Sequence, residues 1–207
     1  MRTYDRSELI ADAAIHAAGI LGGVIGSTTL ILLAPTSTPI LIYSAALVAV
    51  LVTSAAYNLW PASRAKQILR RFDHAMIFLL IAGTYTPFLV QMNGAPRAIA
   101  LGVVVWMIAL GGVVLKLTFP NSWERLAIGL YVALGWSGLL AFDLIVSMLP
   151  SSTVFLLCVG GVLYTVGVVF HTWRSLRFQN AIWHAFVLAA CVLHYCAVLD
   201  CWVLTRA

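Results

Sequence analysis

Three short stretches place polar side chains where the chain is otherwise apolar. SAAYN carries Ser54 and Asn58, four residues apart. FDH carries Asp73 and His74. NAIWH carries Asn180 and His184, again four apart. Residues spaced by four share a face of an α-helix. A hydroxyl, a carboxylate, two amides and an imidazole brought together would line a polar cavity. Such a set could hydrogen-bond a ligand, position a water, or hold a cation. Each residue also has a plainer reading. Asp73 follows a basic stretch and reads as a helix N-cap. Ser54 reads as a small packing residue bonded to the carbonyl four residues back. Asn58 reads as a C-terminal capping residue, and His184 as a hydrogen-bonded core histidine. Two i,i+4 polar pairs and a carboxylate arriving at one face favour the site.

The elements that must position these groups are membrane helices. The chain has 207 residues; 62% are hydrophobic and only 9% charged, with a mean hydropathy of +1.00. A soluble domain is about a quarter charged. A spanning helix needs ~20 mostly apolar residues. Seven such runs can be read, at roughly 9–33, 40–60, 73–92, 96–117, 125–149, 152–171 and 180–203. The breaks between them are APTSTP, the basic PASRAKQILRR, NGAP, TFPNSWER, LPSS and the basic HTWRSLRFQN, rich in helix-ending or capping residues. The links are short, so neighbours run antiparallel. The expected fold is all-α, a seven-transmembrane helix bundle forming one domain over residues 1–207.

Lysine and arginine give the orientation. Arg2, Arg6, Arg64, Lys66, Arg70, Arg71, Lys116, Arg125, Arg174 and Arg177 fall at one set of alternating helix ends; Arg97 and Arg206 fall at the other. This bias places the N-terminus in the cytoplasm and the C-terminus outside. Trp60, Trp123, Trp173 and Trp183 sit at the inner ends, as an interfacial belt would. Arg2 and Arg6 resemble the charged start of a signal peptide, but the following apolar run is longer than such a peptide needs, so an uncleaved first helix is expected. On this topology Ser54, Asn58, Asp73, His74, Asn180 and His184 all lie in the inner half of the bilayer. Ionisable groups at that depth are costly unless they face a cavity or a partner. The charge of +5 belongs to this membrane pattern. No basic stripe with interleaved aromatics is present, so nucleic acid is not an expected partner. The expected partners are the lipid bilayer and a lipid or ion ligand in the inner cavity.

Other polar residues fit less tightly. His74 points about 100° away from Asp73 around the helix. His194 lies ~15 Å along the helix from His184 and cannot share a small site with it. His16, in the first span, either lines the same cavity or snorkels. Asp143 and Asp200 lie toward the outer face, interfacial or in an outer vestibule. GTYTPF puts Pro87 inside the third span, four residues after Gly83, where a kink is expected. Cys158, Cys191, Cys196 and Cys201 fall in apolar runs without a CxxC pair and read as buried free thiols.

SAAYN, then ILRRFDHAMIFLLIAGTYTPF, then NAIWHAFVLAACVLHY resemble, in this order, the haemolysin III family, within the wider group that includes the progestin and adiponectin receptors. The resemblance covers nearly the whole chain and implies a multi-pass protein of the bacterial inner (plasma) membrane. It also implies a zinc site at the cytoplasmic side, built from one histidine at the end of the second helix and two at i,i+4 on the seventh. An aspartate and a serine would support a metal-bound water, positions occupied here by Asp73 and Ser54. The activity implied is hydrolysis of lipid amides such as ceramides, or a receptor function. Only His184 keeps its ligand type: Asn58 and Asn180 stand where the pattern has imidazoles.

An amide offers a neutral oxygen suited to harder ions, not the nitrogen that zinc takes. The expectation is therefore no bound cofactor, or zinc held weakly at a degraded site of His184, Asn58 and Asn180. Without a metal to acidify water and polarise a carbonyl, Asp73 alone is a poor catalyst for amide cleavage. The first functional reading is a non-catalytic membrane protein that responds to a ligand, ion or proton. The alternative is a zinc-dependent lipid amide hydrolase that tolerates the amides or recruits His16 or His74. Pore formation rests on the family name alone and has no support in the residues.

Overall fold

The structure, a computed structural model, describes residues 5–34, 37–119 and 124–205. Among them all regular structure is helical: α1 (Arg6–Leu33), α2 (Thr38–Leu59), α3 (Arg64–Val90), α4 (Pro96–Thr118), α5 (Glu124–Gly135), a 3-10 turn (Ser137–Ala141), α6 (Phe142–Met148), α7 (Ser151–Thr172) and α8 (Gln179–Leu199), the last running into a π-helical turn (Asp200–Leu204). With α5 and α6 taken together, seven segments are long and apolar enough to cross a bilayer. Arg2, Trp123 and Arg206 lie outside the described residues, as do residues 35–36 of APTSTP and 120–123 of TFPNSWER. The outer surface is apolar: Leu32 is 73% exposed and Phe155 66%. A water-soluble fold would not leave such a belt open, whereas lipid covers it.

Two expected boundaries are corrected. The basic stretch before Asp73 is not a loop. α3 begins at Arg64, where the Ser63 hydroxyl accepts the Lys66 N–H at 3.3 Å. Helix-favouring Arg, Lys, Gln and Leu then carry it inward. Asp73 therefore lies well inside α3 and is not an N-cap. The fifth span is broken rather than continuous, at Gly135 and Gly138. Tyr85 of the GTYTPF segment fills the break. Its hydroxyl donates to Gly135 O at 2.8 Å and accepts the Gly138 N–H at 2.7 Å and the Ser137 hydroxyl at 3.2 Å. Groups that a continuous helix would have paired internally are thus satisfied by a neighbour. α3 itself continues through Pro87 to Val90. The Pro87 carbonyl accepts from Trp202 Nε1 at 3.0 Å.

Packing follows the chain. α1 packs on α2, α2 on α3, α3 on α4 and α7 on α8, and α1 closes against α8. One core cluster joins Tyr43 and Leu47 of α2 to Leu80 and Phe88 of α3 and Val198 of α8. A second surrounds Phe78, with Val105 and Ala109 of α4 and Leu134 of α5. α3 approaches α2 closely at Gly83, where an added Cβ would sit 2.9 Å from the Ala46 Cβ. α5 and α6 touch the rest of the bundle lightly, and a cavity opens behind them.

Candidate functional site

α1 enters the site through its own cap. Asp5 Oδ1 accepts the Glu8 N–H at 2.8 Å, and Glu8 Oε2 accepts the Asp5 N–H at 2.9 Å, a capping box. The other Glu8 oxygen accepts the Phe178 N–H at 2.9 Å. Phe178 has a φ of 58° and directly precedes α8. A single buried carboxylate thus fixes the start of α1 against the start of α8. One turn further along α1 comes Asp12, and one turn beyond that His16, on the same face.

Asp12 is the hub. Its Oδ1 lies 2.6 Å from His184 Nδ1, and its Oδ2 accepts from Asn180 Nδ2 at 2.8 Å. A carboxylate only accepts, so the His184 proton is assigned to Nδ1. Asn180 Nδ2 also donates to Asn58 Oδ1 at 3.1 Å. Asn58 Nδ2 donates to the Ser54 carbonyl at 2.9 Å and lies 3.5 Å from His184 Nε2. Asn58 therefore caps its own helix and reaches across to α8 at once. Ser54 and Asp73 both line the adjoining cavity, and Asp73 is buried at 8% exposure. The structure links Ser54, Asn58, Asn180 and His184 through hydrogen bonds, with Asp73 on the wall of the adjoining cavity. Sequence reasoning missed Asp12 and Glu8. The signal was present: Glu8, Asp12 and His16 repeat the i,i+4 spacing that singled out the other pairs.

His16 belongs to the cluster. Its ring centroid lies 4.4 Å from that of His184, and its Nε2 lies 3.6 Å from Asp12 Oδ2. That nitrogen is buried without a hydrogen-bond partner among the described residues. His16, Ser54, Asp73 and His184 form the polar end of a cavity of about 1100 Å³. Its remaining wall is mostly apolar, from Leu80 and Phe88 of α3 through Leu139 and Ile145 to Leu157 of α7 and Val187 of α8.

The outlying residues separate. His74 lines the cavity beside Tyr57, with its carbonyl accepting from Tyr131 at 2.8 Å. His194 faces Leu157 O at 3.3 Å, between α7 and α8. Asp143 forms a two-point ion pair with Arg97, at 2.7 and 2.9 Å. Asp200 accepts from Ser152 and Thr153 at 2.7 and 2.6 Å, tying the end of α8 to the start of α7. Trp60 and Trp173 are exposed at helix ends, whereas Trp183 turns inward onto His171. The basic groups meet at the end where α1, α3 and α8 begin. Arg70 pairs with Glu124, Arg177 with Asp5, and Lys66 donates to the carbonyls of Asn58 and Trp60. The four cysteines are free.

The zinc position implied by the resemblance would draw three nitrogens from residues 58, 180 and 184. Only His184 supplies one. The two amides are bonded to each other and to Asp12 and Ser54. These groups do not fit a tetrahedral zinc at that position. A different trio does converge. One ligand atom each from Asp12, His16 and His184 lies within 4.8 Å of the others, and all three residues are buried.

Comparison with known proteins agrees with the resemblance. The family described as Haemolysin-III related matches residues 8–195. The chain is 34% identical to the Hemolysin-3 homolog of Bacillus subtilis (strain 168) over 201 residues, 91% of this chain and 94% of that protein. It is 38% identical to Hemolysin-3 of Bacillus cereus over 127 residues, 61% of this chain and 58% of that one. The human Monocyte to macrophage differentiation factor is 28% identical over 163 residues, 76% and 67% of the two chains, which extends the likeness to the wider receptor-like group. With seven apolar helices and a match across nearly its whole length, this chain belongs to the haemolysin III family.

Proposed function

We propose that the protein binds a lipid-like amphiphile in its cavity and responds to it without chemically altering it. The observation that carries this reading is the polarity of the cavity. His16, Ser54, Asp73 and His184 gather on one side, further polar groups such as His74, Lys116 and Arg125 also line it, and most of the remaining wall is apolar. Ligand pockets of ~300–1,000 Å³ already bury drug-sized molecules, and this one exceeds that range. An acyl chain fits the apolar length and a polar head the hydrogen-bonding end. On this reading the chain is multi-pass in a bacterial plasma membrane with its basic end, and so its N-terminus, in the cytoplasm. The mutual bonding of Asn58 and Asn180 argues against zinc at the position of the family pattern and so against catalysis there.

Native mass spectrometry of the full chain, ejected from detergent, tests this. One amphiphile adduct per chain is expected. The Leu157→Phe, Val187→Phe double variant narrows the cavity and should lose most of it. Equal adducts on both proteins would overturn the reading. Lipid amide hydrolysis stands as a second reading because Asp73, Ser54 and His184 all line the cavity. It requires fatty acid release from an N-acyl sphingosine that stops in Asp73→Asn.

A further inference from the structure

The geometry points to a divalent-cation site of the zinc type at Asp12, His16 and His184, displaced from the family position toward α1. Three observations carry it. The ligand atoms of the trio are mutually within 4.8 Å, and all three residues are buried. The donor set is two imidazoles and one carboxylate, which suits zinc and its neighbours, with one position left open. His16 Nε2, on a residue only 6% exposed, has no hydrogen-bond partner among the described residues. It is turned toward Asp12 Oδ2 at 3.6 Å. A buried nitrogen left unpaired beside a carboxylate is costly, and a cation would satisfy both.

The separations need only small adjustments to hold a metal. Tetrahedral ligands at about 2.0–2.1 Å from zinc lie roughly 3.3 Å from one another. The Asp12–His16 gap is close to this. The 2.6 Å gap between Asp12 and His184 is a hydrogen bond that must open slightly. The proton on His184 Nδ1 gives way to the metal and is replaced by one on Nε2 through exchange with water, so the net proton count holds, and the Asn58 amide facing Nε2 must turn to accept it. Asn180, already bonded to Asp12 Oδ2, would hold the carboxylate from outside, as second partners of metal ligands do. His16 and His184 both line the cavity, so the open position faces the bound molecule's head. The exchange reads as a relocation. The second helix and the first position of the eighth lose their imidazoles to Asn58 and Asn180, and α1 supplies Asp12 and His16.

The test is metal binding by the full chain in detergent, stripped by chelator and titrated with zinc against a chromophoric competitor. One zinc per chain is expected. His16→Gln and Asp12→Asn should each weaken it by more than the ~10–100-fold that outer-partner changes cost. Asn58→Ala should stay within about that range. A parent protein that binds no zinc overturns the site. So does zinc that survives His16→Gln but is lost in Asn58→Ala, which would return it to the family position. His16→Cys guards against loss of folding: with cobalt it should gain a thiolate charge-transfer band that the parent lacks, and absence of that band in a folded variant rejects the ligand role. Amphiphile binding is measured separately and can fail or hold independently.

Discussion

At the scale of single residues, the site was legible where polarity contradicts an apolar surrounding. Ser54, Asn58, Asp73, Asn180 and His184 stand out because each is expensive in a lipid-facing helix; the structure links four of them through hydrogen bonds and places Asp73 on the wall of the adjoining cavity. Asp12 escaped although it lies inside the first expected span, four residues before His16. Lys116 escaped as well. It was counted among the basic residues of one membrane face, yet its side chain is folded inward at 1% exposure. Its ammonium has no hydrogen-bond partner among the described residues. An unsatisfied buried donor costs ~1–3 kcal/mol, and more if charged. Lys116→Met keeps the length of the side chain and removes the polar group. Its melting midpoint in detergent should rise, corresponding to about 1–3 kcal/mol. A lower midpoint would mean that the ammonium holds a partner, for instance the head of a bound amphiphile.

At the scale of elements, hydropathy found seven spans but misjudged what lies inside two of them. Composition reports that a segment is apolar; it does not report where the helix starts or breaks. α3 begins at Arg64 because its basic residues are good helix formers, and this places Asp73 within the helix, on the cavity wall, rather than at a terminus. The break between α5 and α6 depends on Tyr85, fifty residues earlier in the chain, and no local pattern could announce that. The phenol oxygen accepts the Gly138 N–H and also meets Gly135 O and Ser137. Tyr85→Phe removes one hydroxyl and strands two backbone groups, at a cost of about 1–3 kcal/mol. The loss should be local. Hydrogen exchange over residues 135–141 should speed up while α2 and α8, which pack chiefly on α1, α3 and α7, keep their protection. Uniform loss of protection would instead make the break part of the global unfolding unit.

At the scale of the molecule, one bundle end concentrates both the cations and the candidate site. Arg70 with Glu124, Arg177 with Asp5 and Lys66 with two carbonyls tie the helix ends together there. The polar mouth of the cavity lies just inside them. The opposite end has Arg97, already neutralised by Asp143. If the positive-inside bias orients the chain, the polar end of the cavity meets cytoplasmic ligands and cytoplasmic metal, and the apolar end reaches the outer leaflet. Two exposed positions test this in a background with the four native cysteines replaced. Gln67→Cys lies at the basic end, in the first turns of α3. Ser147→Cys lies at the other end, in α6, and is nearly isosteric. A membrane-impermeant maleimide added to intact cells should label Ser147→Cys and spare Gln67→Cys, and permeabilisation should make both reactive. The reverse pattern would put the site on the outside, where His16, Asp12 and His184 would draw their cation from the surroundings of the cell rather than from its interior.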